Sequence, residues 1–198
     1  MDAAGGRDEG RAAFFDRLYT ERPDPWGLQA SPYERAKYER TLQALPRRRW
    51  QHALEIGCSI GTLTERLQAI ADRVTGVDVS AVALERARAR VPGATFLRAE
   101  VPEGWPHDAY DLVVLSEVLY FLRPDEVRAV AELVRRDLAP QGTVVLVNWT
   151  GPNDRELDGE AAAALFTQAM GRSFRTERVQ APERPEPGAG YRIDVSAE

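Results

Sequence analysis

The stretch LEIGCSIGTLT, residues 54–64, concentrates residue types that could do chemistry. Gly57-x-Ser59-x-Gly61 has the spacing of a nucleophile elbow, in which a serine hydroxyl attacks an acyl carbon. The same letters fit a glycine-rich turn between a strand and a helix that cradles a nucleotide. The two readings need different partners. A nucleophilic serine needs a histidine to take its proton and an acid to orient that histidine. The chain has two histidines. His52 falls at the start of the strand leading into the loop, at the end opposite Ser59, and His107 sits in the turn-like EGWPHDAY. Ser59, Asp78 and His107 formally keep a hydrolase order. However, no histidine follows the fifth strand, and an elbow on the first strand is out of place.

The nucleotide reading finds its partner in Asp78, which lies 21 residues after Gly57 at the end of the next strand. A carboxylate there can accept hydrogen bonds from both ribose hydroxyls. Gly57 and Gly61 let the backbone approach a ligand closely. A dinucleotide fingerprint needs glycines at 57, 59 and 62, and the chain has Gly57, Ser59 and Thr62. Glu55, just before the first glycine, would repel a pyrophosphate but suits an ammonium or sulfonium group. These features point to S-adenosylmethionine.

The elements around the loop read as follows. A short helix over 8–19 carries Phe14, Phe15 and Leu18, and ERPDPWG breaks it. Ser31-Pro32-Tyr33-Glu34 opens a second helix that runs to about Leu45. Strands and helices then alternate: HALEIG, a helix over 62–71, VTGVDVS, a helix over 81–91, ATFLRAE, YDLVVLSEV, a helix from Pro124 to Leu138, and GTVVLVNW. A helix over 158–170 follows, with SFRTERVQ and YRIDVSA as two last strands and a loop over 181–190 between them. The expectation is an α/β, Rossmann-like, doubly wound and mostly parallel seven-stranded sheet with an N-terminal helical cap. It would form one domain over 1–198, with the cap at 1–46, the cofactor core at 50–150 and the last helix and strands at 151–198.

Composition fits this picture. Of 198 residues 43% are apolar, and 26 basic against 31 acidic side chains leave a net charge of −5. That gives no footprint for nucleic acid, and PRRRW at 46–50 reads as a solvated helix end. Cys58 is the only cysteine, so no intrachain disulfide can form and a cysteine-rich metal site is excluded. No apolar run reaches membrane-spanning length, and MDAAGGRDEGR lacks a signal-peptide core, so a cytoplasmic monomer or homodimer is expected.

Several stretches resemble class I S-adenosylmethionine-dependent methyltransferases. LEIGCSIGTLTERL is similar to their first motif, VTGVDVSAVALERAR to the second, AEVPEGWPHDAYDLVVLSEVLYFL to the third and fourth, and LAPQGTVVLVNW to the segment after them. More narrowly, FFDRLYTERPDPWGLQASPYERAKYERTLQALP together with LEIGCSIG resembles the NodS family, which N-methylates the free amine of a deacetylated chitooligosaccharide. The resemblance implies roles position by position. Glu55 and the backbone of Gly57, Cys58, Ser59 and Gly61 would meet the methionine part of the cofactor. Asp78 would bind the ribose, Val79 would pack on adenine, and Glu100 with the Val101 amide would meet the adenine amino group. Ser116 would touch the cofactor.

Glu117 and Tyr120, after the fourth strand, are the candidates for holding an acceptor amine and taking its proton. Asn148 and Trp149 follow the fifth strand, where an acceptor would approach. On the cap helix, Tyr33, Arg35, Lys37 and Tyr38 form a polar and aromatic group. Arg35 or Lys37 could pair with the cofactor carboxylate, and a solvated helix face explains the group equally well. Asp154, Glu156, Asp158 and Glu160 could meet a basic acceptor or start a solvated helix. The expected activity is methyl transfer to a small-molecule acceptor, an amino-sugar or oligosaccharide amine, with S-adenosylhomocysteine as product. An O-methyltransferase and a non-catalytic cofactor-binding protein are the alternatives.

Overall fold

The computed structural model describes residues 10–181, 186 and 189–196. Two helices, α1 (Arg11–Glu21) and α2 (Pro32–Gln43), precede the first strand. Strands β1 (Trp50–Ile56), β2 (Ala71–Asp78), β3 (Thr95–Arg98), β4 (Tyr110–Ser116) and β5 (Leu138–Trp149) pair in parallel. Helices α3 (Thr62–Gln68), α4 (Ala81–Arg90), α5 (Pro124–Asp137) and α6 (Gly159–Met170) fall between strands. The antiparallel pair β6 (Phe174–Gln180) and β7 (Gly190–Ser196) completes the sheet, with β7 inserted beside β5. The order is β3-β2-β1-β4-β5-β7-β6. This is the doubly wound, mostly parallel seven-stranded architecture expected from the alternation of strand and helix signals.

Burial follows the two-residue period of a strand covered on both faces. Leu54, Ile56, Val113, Leu115, Val144 and Leu146 pack with Val127, Val130 and Val134 of α5 and Phe166 of α6. Their neighbours Ala53, Leu112, Val114, Val145 and Val147 face the other way, toward Tyr38 of α2 and Leu63 and Leu67 of α3. The apolar run of β4 is therefore buried on both sides.

Helix starts match their chemical signals. Ser31 Oγ accepts from the Glu34 amide with Pro32 at the first helical position, and Ser80 Oγ accepts from the Ala83 amide. Two helices end earlier than expected, whereas α1 runs on to Glu21. α2 stops at Gln43, and α3 stops at Gln68, where the Ala69 and Ile70 amides bond back to Arg66 and Leu67. The Ile70 carbonyl then accepts from the Trp50 amide at 2.9 Å, so β2 begins at Ala71 in spite of its polar first turn. Likewise β5 starts at Leu138 rather than Gly142, with Leu138 opposite Tyr110 and a register shift before Leu112. Arg47 and Arg49 lie beyond the end of α2. Arg47 stacks over Trp50 and Arg49 pairs with Asp72, so PRRRW is not the helix end it resembled. Among the described residues no helix is long and apolar enough to cross a membrane.

Chain order reverses between β1 and β4, so a crevice opens beyond their carboxyl ends. Helix α1 lies over that edge. Asp16 accepts from Ser80 Oγ at 2.7 Å, and Arg11 pairs with Glu100 at 2.9 Å and with Glu126.

Candidate functional site

The loop after β1 is held by backbone geometry that only certain residues adopt. Gly57 and Gly61 both have φ of 78°. A Cβ at Gly57 would sit 3.1 Å from Val118 Cβ, and one at Gly61 would sit 3.2 Å from the Ala87 backbone. Ser59 takes φ of 51° without being glycine. Its amide donates to Asp78 Oδ2 at 2.8 Å, and the Ser80 amide donates to Oδ1 at 2.9 Å. Asp78 thus ties the first loop to the second, and each of its oxygens keeps a lone pair for a further donor.

A second non-glycine residue in the left-handed region, Glu117 at φ 56°, ends β4. Its amide donates to the Val147 carbonyl at 2.7 Å. Its Oε2 accepts from Tyr120 OH and from the Trp149 amide, both at 2.8 Å, and its Oε1 accepts from Lys37 Nζ at 2.7 Å. Lys37 Nζ also donates to Glu34 at 3.0 Å. Strained backbone at two strand ends facing one crevice is the pattern that functional sites over-determine.

One cavity of about 910 Å³ joins these groups. That is within the range of ligand pockets. Its lining includes Glu55, Gly57, Cys58 and Ser59 from β1 and its loop, Asp78 and Val79 after β2, and Glu100 and Val101 after β3. Ser116, Glu117 and Tyr120 line it after β4, and Tyr33 and Lys37 from α2. Burial pushes the Glu55 carboxyl up to about 8, against a 2.5 Å hydrogen bond from Thr64 that works the other way. Burial also raises Asp78, opposed by the Ser80 and Ser59 amides. Burial and then Glu117 hold the Tyr120 phenol well above its ordinary range, so it stays a donor. Burial works against the Lys37 charge, but Glu117 and Glu34 outweigh it and raise the ammonium.

Three expected residues, Arg35, Gly61 and Asn148, are not at the cavity wall. Arg35 is exposed on the outer side of α2. Lys37 faces inward instead and is 3% exposed, so the solvated-face alternative holds for Arg35 and not for Lys37 or Tyr38. Gly61 starts α3 and packs on Ala87 rather than lining the cavity. Asn148 lies inside β5, fully buried, and is not at the crevice. Glu100, expected at adenine, is engaged by Arg11. Asp158 caps α6, Glu160 pairs with Arg178 and Arg192, and Asp154 alone of that acidic group lines the cavity.

The cavity is also lined by residues whose sequence pattern does not mark them as site residues. Phe14, Phe15 and Leu18, the apolar stripe of α1, roof it, as does Trp26, which stands against Phe15 and Tyr19. Spacing alone could not separate a roof from a core. Thr62, Asn153 and Arg155 line it too.

A nucleophilic role for Ser59 fails on geometry. Its hydroxyl is hydrogen-bonded to Tyr19 OH. His52 is buried with Nε2 2.9 Å from Thr75, and the exposed His107 contacts Asp137 at 2.9 Å. Among the described residues no group of three or more His, Cys, Asp or Glu side chains is placed to hold a metal ion.

The residues present fit S-adenosylmethionine. The crevice offers carboxyl groups rather than arginine or lysine at the first loop, and the buried Thr62 Oγ1 has no partner among the described residues.

Comparison with known proteins gives the same direction. Residues 13–151 match the model of the family described as Nodulation protein S (NodS). Nodulation protein S of Rhizobium tropici is 34% identical over 156 residues, covering 74% of this chain and 66% of that protein. The Sinorhizobium fredii protein is 32% identical over 154 residues, covering 74% and 70%. The chain therefore spans about two thirds of the length of these relatives. The crystal structure of the N-methyltransferase NodS from Bradyrhizobium japonicum WM9 with S-adenosyl-L-homocysteine superposes with a TM-score of 0.82 at 22% identity, covering 94% and 98% of the two chains. The chain belongs to the NodS family of S-adenosylmethionine-dependent methyltransferases.

Proposed function

We propose that the protein N-methylates the amine of an amino sugar or oligosaccharide. The observation that carries this reading is the continuity of one cavity from Asp78, at the end of β2, to Glu117 and Tyr120, after β4. Bound S-adenosylmethionine supplies an activated methyl group on a sulfonium, so the protein has mainly to align, desolvate and manage a proton. Asp78 holds the ribose hydroxyls, Val79 and Val101 flank the base, and Glu55, protonated in the native chain below about pH 8, gives up that proton as it receives the ammonium of the methionine end. Gly57, Cys58 and Ser59 bring the backbone close, and Tyr33 and Ser116 close the side nearest Glu117.

An amine must be neutral to attack carbon. Glu117 draws the acceptor ammonium toward the crevice and takes its proton directly or through one water. Tyr120 and the Trp149 amide hold the Glu117 carboxylate in position at 2.8 Å each. Along the cavity lining eight acidic side chains face five basic ones, Lys37 and Arg155 among them, and this acidic surplus suits cationic ligands.

The test is a turnover assay that pairs glucosamine oligosaccharides with their fully N-acetylated counterparts. Methylation confined to the free amines supports the reading. Equal methylation of the blocked sugars would assign a hydroxyl acceptor, and no cofactor binding at millimolar concentration would remove catalysis altogether.

A further inference from the structure

The cavity wall contains a cation that nothing in the proposed reaction uses. Arg155, between β5 and α6, lines the cavity with Glu117 and Tyr120. Its guanidinium lies 4.6 Å from the centroid of the Phe121 ring and 5.8 Å from that of Phe14. It makes no ion pair among the described residues; Asp154 and Tyr120 act on it only at longer range. Burial lowers its guanidinium from the ordinary arginine value, the sign expected of a charge lacking a counterion.

A second donor stands beside it. Asn153 Oδ1 accepts from the Arg155 amide at 3.0 Å, which leaves Nδ2 as the free end of that side chain. That Nδ2 is buried, has no hydrogen-bond partner among the described residues, and belongs to a residue lining the same cavity. Buried donors without acceptors are costly unless a ligand supplies the acceptor. Neither neighbouring acid supplies one: among the described residues no hydrogen bond joins Asn153 Nδ2 to Glu117 or Asp154, and Asp154 acts on the Arg155 guanidinium through charge alone.

We infer that the acceptor carries an anionic group, a carboxylate or a phosphate, beside its amine, and that Arg155 and Asn153 receive it. The guanidinium offers a planar fork that matches either anion, and the two aromatic rings hold it from one side. The cavity then has a polarity. Cationic groups are drawn to Glu55 and Glu117, and the anionic substituent of the acceptor to the α6 side. This deepens the proposed function and rests on it.

The experiment compares glucosamine, glucosamine phosphate and glucosaminic acid as methyl acceptors for the wild type, Arg155→Met and Arg155→Lys, with S-adenosylhomocysteine affinity measured on each. In the wild type the anionic amines should show KM about tenfold or more below that of glucosamine, the range of a charge-assisted pair. Arg155→Met should abolish the preference, Arg155→Lys should restore part of it, and S-adenosylhomocysteine affinity should stay within about twofold, because the variants spare the cofactor end. Which of phosphate and carboxylate gains more identifies the anion. Equal KM values in the wild type, or a preference that survives Arg155→Met, would overturn the inference. So would a tenfold loss of S-adenosylhomocysteine affinity in Arg155→Met, which would assign the guanidinium to the cofactor. If no amine is methylated, the three compounds are titrated into the S-adenosylhomocysteine-loaded protein. Arg155-dependent binding of the anionic pair then supports the inference while the N-methylation reading falls, and absence of such binding overturns both.

Discussion

Lys37 Nζ, on the N-terminal cap, lies 2.7 Å from Glu117 Oε1 at the end of β4. One ion pair therefore joins the cap to the edge of the sheet, and Glu34 holds the same ammonium from within α2 at 3.0 Å. With Lys37 3% exposed, removing its charge leaves two carboxylates facing each other in a half-closed space. Lys37→Met should cost about 3 kcal/mol, roughly 10 °C in Tm, and lower turnover as the cap loses its register. Thermal melts with and without S-adenosylhomocysteine check this. A melt unchanged by the substitution would mean the pair contributes nothing to the closed cap.

Asp78 is expected to dominate cofactor affinity. Asp78→Asn keeps one acceptor for the Ser59 or Ser80 amide and loses the charge, so S-adenosylhomocysteine should bind about 10- to 100-fold more weakly with little change in melting. Calorimetric titration reads the first quantity and a thermal melt the second.

Glu55 gives stability a definite pH dependence. Its folded value is raised to about 8 from 4.5, so the native chain holds a proton that the unfolded chain releases between those values. Its contribution is full below 4.5, falls as pH rises, and is gone above about 8. His52, lowered by burial, acts with the opposite sign near its own titration, so the comparison must be made within one pair of proteins. Glu55→Gln should gain stability relative to the wild type between pH 5 and 8, by urea denaturation at each pH. A constant difference would show that Glu55 is ionised in the native state.

Ser59→Ala should keep most turnover. The loss should be about 1 kcal/mol of stability, because the buried Tyr19 hydroxyl loses its partner. A double-mutant cycle with Tyr19→Phe should show coupling between the two. Near-total loss of activity in a folded Ser59→Ala protein would return the serine to a chemical role.

Much of this arrangement was legible in the letters. Periodicity located every strand, and Ser31 and Ser80 marked helix starts, because capping and alternation are local. The loop residues Glu55, Gly57 and Ser59 and the spacing to Asp78 indicated the cofactor end for the same reason, since a strand–turn–helix unit is nearly contiguous. The other end was not local. Lys37 meets Glu117 across 80 residues, and a helix that is polar on most sides gives no sign of which side faces inward. Arg35 and Lys37 lie two residues apart on α2, which points them in different directions, and only the packing of Tyr38 on the sheet decides which one is buried. Phe14, Phe15 and Leu18 read only as the apolar stripe of a cap helix, because a stripe over a cavity and one over a core are the same pattern.

The most direct test is transfer of an isotope-labelled methyl group from S-adenosylmethionine to a panel of amino sugars, with the labelled position read by NMR. The expected result is label on nitrogen in the wild type, and transfer reduced about tenfold or more by Asp78→Ala at cofactor concentrations that just saturate the wild type. Label on oxygen, or undiminished transfer by Asp78→Ala, would contradict the assignment of this crevice to N-methylation.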